Sequence, residues 1–301
     1  MESMHPIDLV QLNFNATAVQ AVNLILAFLI FGIALTIRPA DFRHILNQPR
    51  AFLIGLLAQF VLMPALTFAL TLVLDLPPSV RLGLILIAAC PGGNLSNVMA
   101  FLARGNAALS IGMTAVSTFA ALFFTPLNLL FWGSRRADTA ALLARVELDP
   151  MSLLQTIFLV LGLPLLMGLI AAHYLPHFAK RAEKPVRLAA FAFFGASIAG
   201  AFAANWENFL NFAGLVFLAV FLQNALAYAI GFWSARALRL AHRDARTVAI
   251  ETGIQNAGLG IVMVFTFFQG IGGMLLVAAG IGAWQIASGF ALALYWSWGC
   301  K

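Results

Sequence analysis

Apolar residues in this chain fall into long runs of about twenty positions or more, divided by short polar stretches. Soluble strands and helices show alternating or one-faced patterns instead. A helix of about twenty residues spans the hydrocarbon core of a bilayer. The pattern predicts nine such spans, at roughly 17–37, 51–74, 79–103, 106–132, 151–175, 187–205, 210–236, 245–268 and 272–298. The stretches between them, among them "DLPPS", "SRRADTAALLARVELDP", "NWENF" and "RLAHRD", read as linkers. The expected fold is therefore all-α and polytopic, one membrane domain over residues 1–301 with no room for a separate soluble unit.

Two of the nine spans are interrupted. The third reads "LILIAACPGGNLSNVMAFLARG", where Pro91 removes a backbone donor and Gly92 and Gly93 favour unwinding. The eighth reads "VAIETGIQNAGLGIVMVF", with Gly253 near its middle and Gly258 and Gly260 after it. Unwound backbone at bilayer depth is tolerated only where protein buries it or a cavity faces it. The segments ahead of the breaks also resemble each other: "AQFVLMPALTFALT" (58–71) begins near Gln59, and "LQNALAYAIGFWSA" (222–235) near Gln223. Paired interrupted helices in oppositely directed halves point to a secondary transporter with inverted repeats and a midplane site.

Composition supports the membrane reading. Hydrophobic residues make up 62% and charged residues 9%, far below the quarter or so usual in soluble domains. The net charge of +6 is then a matter of topology and implies no nucleic-acid partner. With the N-terminus outside, 13 Lys and Arg fall on the inner side and 4 on the outer, and the C-terminus lies inside. The expected location is a plasma membrane, the inner membrane of a bacterium, with lipids as the surrounding partner. The N-terminus lacks a cationic region followed by a short apolar stretch, so no cleavable signal is expected. Cys90 and Cys300 form no motif.

The candidate chemistry centres on Glu251, a carboxylate at bilayer depth with no Lys or Arg in mid-span to pair with it. Such a group is either protonated or balanced by a bound ion. Its expected neighbours, Gln59, Ser96, Asn97, Ser110, Thr114, Thr252 and Gln255, are neutral oxygen donors. Ser110 and Thr114 are four apart and share a helix face. Oxygen-only ligands suit hard cations, and a single carboxylate suits sodium better than a divalent ion. Asn94 and Asn256 stand where the second half of each broken helix begins, placed to cap it or to meet substrate.

These motifs carry a resemblance. "CPGGNLSNVM" (90–99), "ETGIQNAG" (251–258), "AQFVLMP" (58–64) and "LSIGMTAVST" (109–118) resemble the bile acid:sodium symporter family. "FGIALTIRPADFRHILNQPR" (31–50) and "ALYWS" (293–297) extend the match to nearly the whole chain, with "PGGNLSN" similar to the vertebrate bile acid carriers. The resemblance implies a panel domain and a core domain built on two crossed, discontinuous helices, with nine spans where bacterial members usually have ten. It implies one sodium site of Ser96, Asn97, Ser110, Thr114 and Glu251. A second would use Gln59, Glu251, Gln255 and the carbonyls of Thr252 and Ile254. Substrate, a bile-acid-like organic anion, would lie between the domains near Asn94, Asn256, Gln285 and Ser288. Several bacterial members carry His where Gln285 aligns, and many carry Thr where Asn94 stands. No cofactor beyond sodium as coupling ion is implied.

Two other readings remain at this point. Glu251 suits proton coupling or a small-acid solute. An intramembrane enzyme needs a second catalytic group at depth, and the sequence offers no HExxH motif or Ser-His pair there. His173 and His177 lie at a span end beside "LPHFAKR" and read as interface anchors.

Overall fold

The fold is that of a computed structural model, which describes residues 6–9, 49–93, 95–145, 158–182 and 206–298 and scattered positions between them. Among the described residues every regular element is helical. In chain order these are α1 (Pro6–Leu9), α2 (Pro49–Val73), α3 (Pro78–Ala89), α4 (Leu95–Leu102), α5 (Ala107–Gly133), α6 (Ala137–Arg145), α7 (Leu163–Tyr174), α8 (Trp206–Ala237), α9 (His242–Gly253), α10 (Ala257–Phe268) and α11 (Gly272–Trp298). Among the described residues four helices are long and apolar enough to cross a bilayer: α2, α5, α11 and the Val216–Ala237 part of α8. The expected spans at 17–37 and 187–205 lie mostly outside the described residues.

The two interrupted spans appear as α3/α4 and α9/α10. Helix α3 starts on Pro78, where a missing N–H does no harm, and stops at Cys90, which is extended at φ −71°, ψ 156°. Pro91 explains the stop. Its ring disfavours helical backbone at the residue before it, and its nitrogen offers no donor. Helix α9 runs through Gly253 and ends at Ile254, with φ −105° and ψ 97°. Asn256 then caps α10, its Oδ1 accepting the Leu259 N–H at 3.1 Å. The break is thus confined to Ile254–Asn256, and Gly258 and Gly260 are ordinary buried positions of α10. Gly260 has no side chain because Ile87 of α3 occupies that space, 2.4 Å from where a Cβ would sit.

Three linker expectations are corrected. "ADTAALLAR" folds as α6, with Asp138 in its first turn, where the helix dipole favours a carboxylate. Trp206–Phe209, read as linker, opens α8. Helix α9 begins at His242, inside the polar "RLAHRD" stretch, because charged residues cost nothing in a helix end that water reaches. Helix α2 carries a π-helical turn at Ala58–Leu62 that the sequence did not disclose. Such a turn frees backbone carbonyls, and Asn128 of α5 donates to that of Phe60 at 3.0 Å.

A buried apolar cluster of α3, α10 and α11 holds the interrupted spans together, with Leu82, Leu84, Ile85, Leu86 and Ile87 fully buried. Without water to drive helix association, close backbone approach matters more. Gly83 of α3 would place a Cβ 2.9 Å from the Met274 Cα, and Gly231 of α8 would place one 2.6 Å from the Ala249 Cα. The apolar faces turned away from these contacts carry residues such as Phe101, Leu127, Trp233 and Trp298, all exposed, as a lipid-facing surface requires.

One end of the bundle is tied by charge. Asp8 accepts the Ser79 N–H at the start of α3, and Arg81, also in that first turn, bonds Asp138 of α6. Burial pushes the Asp138 carboxyl up, but Arg136, the Thr139 N–H and the Arg81 charge outweigh it and leave it below its ordinary value.

Candidate functional site

The breaks of the two spans cross. Gly92 and Gln255 face each other in an isolated antiparallel bridge. The Gly93 N–H donates to the Ile254 carbonyl and the Asn256 N–H to that of Pro91, both at 2.8 Å. The unwound backbone therefore satisfies itself by pairing with its counterpart, which a polar chain at bilayer depth must do. The glycines are needed for closeness. A Cβ on Gly93 would sit 2.9 Å from the Gln255 carbonyl oxygen, and one on Gly92 would sit 2.9 Å from Glu251 Oε2.

Glu251, on the last turn of α9, is 1% exposed. Three hydroxyls donate to it. Ser96 of α4 reaches Oε1 at 2.6 Å, Thr114 of α5 reaches Oε2 at 3.0 Å, and Ser110 of α5 also bonds Oε1. Asn97 Oδ1 lies 2.9 Å from the Ser110 hydroxyl and 3.3 Å from that of Thr114, a second acceptor competing with Glu251 for the one proton each hydroxyl carries. The five residues expected to form the first sodium site thus lie in one cluster, drawn from α4, α5 and α9. Thr114 also bonds back to the Ser110 carbonyl at 3.1 Å, the local bond expected of a helical threonine. Among the described residues Glu251 enters no ion pair.

The second group gathers at the α9 break itself. Gln59, in the π-helical turn of α2, donates to Gln255 Oε1 at 2.8 Å and to the Cys90 carbonyl at 2.9 Å. Gln255 Nε2 donates to the Thr252 carbonyl at 2.6 Å. The Ile254 carbonyl, expected in the same set, accepts from Gly93 at the crossing. Gln223, the counterpart of Gln59 in the sequence, does not reach a break and donates instead to the Leu84 carbonyl within α3, at 2.7 Å. Among the described residues no group of three or more His, Cys, Asp or Glu could hold a metal, so any cation here meets one carboxylate and neutral oxygens.

Of the four residues expected near substrate, Asn94 lies outside the described residues. Asn256 is a helix cap. Ser288 donates to Asn224 Oδ1 at 2.6 Å. Gln285 spends its amide on the backbone of Gln255. Sequence reasoning missed Asn224, which donates to the Gly253 carbonyl at 2.7 Å, and Tyr228, whose hydroxyl lies 3.3 Å from the Ser288 oxygen. The signal was available in "QNALAY", two amides and a tyrosine in an apolar span.

Crossed, interrupted helices with a buried carboxylate and oxygen donors at the crossing define a class, the membrane transporters that bind at the midplane through broken helices. A profile of the Sodium Bile acid symporter family matches residues 23–212. The chain belongs to this family, whose members are transporters and not enzymes. An uncharacterized sodium-dependent transporter of Bacillus subtilis is 32% identical over 276 residues, 92% of this chain and 83% of its own. A probable chloroplastic sodium/metabolite cotransporter of rice is 31% identical over 272 residues, 90% of this chain but only 62% of the rice protein. The human ileal sodium/bile acid cotransporter is 29% identical over 236 residues, 78% of this chain and 66% of that protein.

Proposed function

We propose that this chain is a sodium-coupled symporter of organic anions that works by alternating access. The observation that carries the reading is Glu251, a buried carboxylate surrounded by hydroxyl and amide oxygens and paired with no cation among the described residues. In this reading sodium supplies the missing positive charge. Ser96, Asn97, Ser110, Thr114 and Glu251 form one ion site. Gln59, Gln255, Glu251 and the carbonyls of Thr252 and Ile254 form the other. The ions hold the crossing in the shape that admits the anion, so ion and substrate binding are linked through one piece of backbone.

The names of the relatives support sodium coupling, and both bile acid and other metabolite carriers occur among them. The substrate class proposed here is amphipathic carboxylates or sulfonates of the bile acid type, bound beside the crossing near Asn94, Asn256 and Ser288. The whole chain forms one domain of nine spans in inverted repeats, set in a plasma membrane with the N-terminus outside. Two sodium ions per monoanion would carry one net charge inward, worth about 2.3 kcal/mol at 100 mV.

Tracer uptake in proteoliposomes tests the coupling. Replacing external sodium with choline is expected to abolish concentrative uptake of the anion. Uptake that follows a pH gradient and ignores sodium would overturn the reading in favour of proton coupling at Glu251.

A further inference from the structure

Gln285 does not present its amide to open space. It lies on α11, is 6% exposed, and grips the backbone of one residue at both polar atoms. The Gln255 N–H donates to Gln285 Oε1 at 2.9 Å, and Gln285 Nε2 donates to the Gln255 carbonyl, also at 2.9 Å. This is the pairing a neighbouring strand would make, supplied by a side chain. The Gln255 carbonyl has a second donor, the Ala257 N–H at 2.9 Å. Its N–H depends on Gln285.

The side chain of that same Gln255 meets Gln59 and the Thr252 carbonyl, at 2.8 and 2.6 Å. Backbone and side chain are therefore both fixed, one by α11 and the other by α2 and α9. One turn along α11, on the same face, Ser288 bonds Asn224, and Asn224 holds the Gly253 carbonyl. Helix α11 thus holds the unwound segment on either side of Ile254, directly at Gln255 and through α8 at Gly253.

We propose that Gln285 is a positioning residue for sodium, setting the place of the Gln255 side chain by clamping its backbone from α11. The inference rests on the sodium site proposed above. It assigns Gln285 to the ion side of the crossing, where the family resemblance had placed it near substrate. Removing the amide leaves the buried Gln255 N–H unpaired and lets the segment drift, while Glu251 and its hydroxyls keep their own contacts.

The test uses purified full-length protein and proteoliposomes. In wild type, sodium is expected to raise the thermal midpoint, with lithium and choline as controls. Gln285→Leu is expected to raise the half-saturating sodium concentration about tenfold or more, the effect of unpairing one buried backbone group. The KM for the anion at saturating sodium is expected to stay near the wild-type value. Gln285→Asn, one methylene too short to reach both atoms, is expected to shift in the same direction, and it is the variant to read should the leucine fail to fold. A purely architectural role would lower the midpoint in choline and leave sodium affinity alone, and that result overturns the proposal. So does a raised anion KM with unchanged sodium dependence, which would place Gln285 in the substrate site. Both outcomes leave the sodium reading standing as long as wild type responds to the ion; a wild type indifferent to sodium would overturn that reading and this one together.

Discussion

At Glu251 three hydroxyls donate to one carboxylate, from Ser96, Ser110 and Thr114. The donors come from two helices and the acceptor from a third, so the cluster is a fastener as well as a candidate ion site. The two roles predict different losses. Glu251→Gln keeps the shape and removes the charge, so the hydroxyls still find an acceptor. Folding is expected to persist, while the sodium-dependent thermal shift disappears and uptake falls about tenfold to a hundredfold, the range for a charge-assisted contact. Ser110→Ala removes one oxygen and is expected to raise half-saturating sodium several-fold without abolishing transport. A Glu251→Gln protein that still shifts with sodium would show the ion sits elsewhere. Glu251 itself was legible in the sequence because a lone carboxylate in hydrocarbon needs a reason. The partners of Gln285 were not, since nothing local says that a glutamine on α11 will reach a backbone 30 positions back.

The elements show the same division. Pro91 and Gly253 mark both breaks in the sequence, and helix α11 spans Gly272–Trp298 as the apolar run predicts. What joins the breaks is a tertiary fact, the pairing of Gly92 with Gln255, and the apolar pattern is blind to it. The π-helical turn that carries Gln59 was likewise hidden, because it depends on Asn128 taking the carbonyl it frees. Two glycines at the crossing differ in what a methyl group would meet. On Gly93 it would strike backbone, the Gln255 carbonyl at 2.9 Å. On Gly253 it would strike the Tyr228 ring at 2.1 Å. Gly93→Ala is therefore expected to destabilise by ~1–3 kcal/mol with no simple remedy, because the crossing itself must widen. Gly253→Ala is expected to be as harmful alone but to regain stability and sodium response when combined with Tyr228→Leu, since the obstacle is a side chain. Thermal midpoints of the single and double variants check this, and additivity in the double variant would refute the steric account.

On the scale of the whole molecule, the far ends of α3 and α4 differ in charge. The α3 end carries Asp8, Asp75 and Asp138, with Arg81 and Arg136 both paired to Asp138 and Arg81 also to Asp75. The α4 end meets arginines, with Arg243 donating to the Gly105 carbonyl and Arg246 to that of Ala103. Cationic side chains on helix-terminal carbonyls are the arrangement a cytoplasmic face favours, both for the dipole and for insertion. The orientation proposed above, from the charge count over the chain, places the α4 end on the same face. Asp75 is fully exposed just before α3, and His242 is exposed at the start of α9, close to the α4 end through Arg243. Asp75→Cys and His242→Cys, each in a Cys300→Ser background, therefore report opposite faces, and Cys90 is buried and silent. A membrane-impermeant maleimide is expected to label Asp75→Cys in intact cells and His242→Cys only after permeabilisation. Labelling in the reverse order would invert the orientation, though not the direction of symport, which the sodium gradient alone sets.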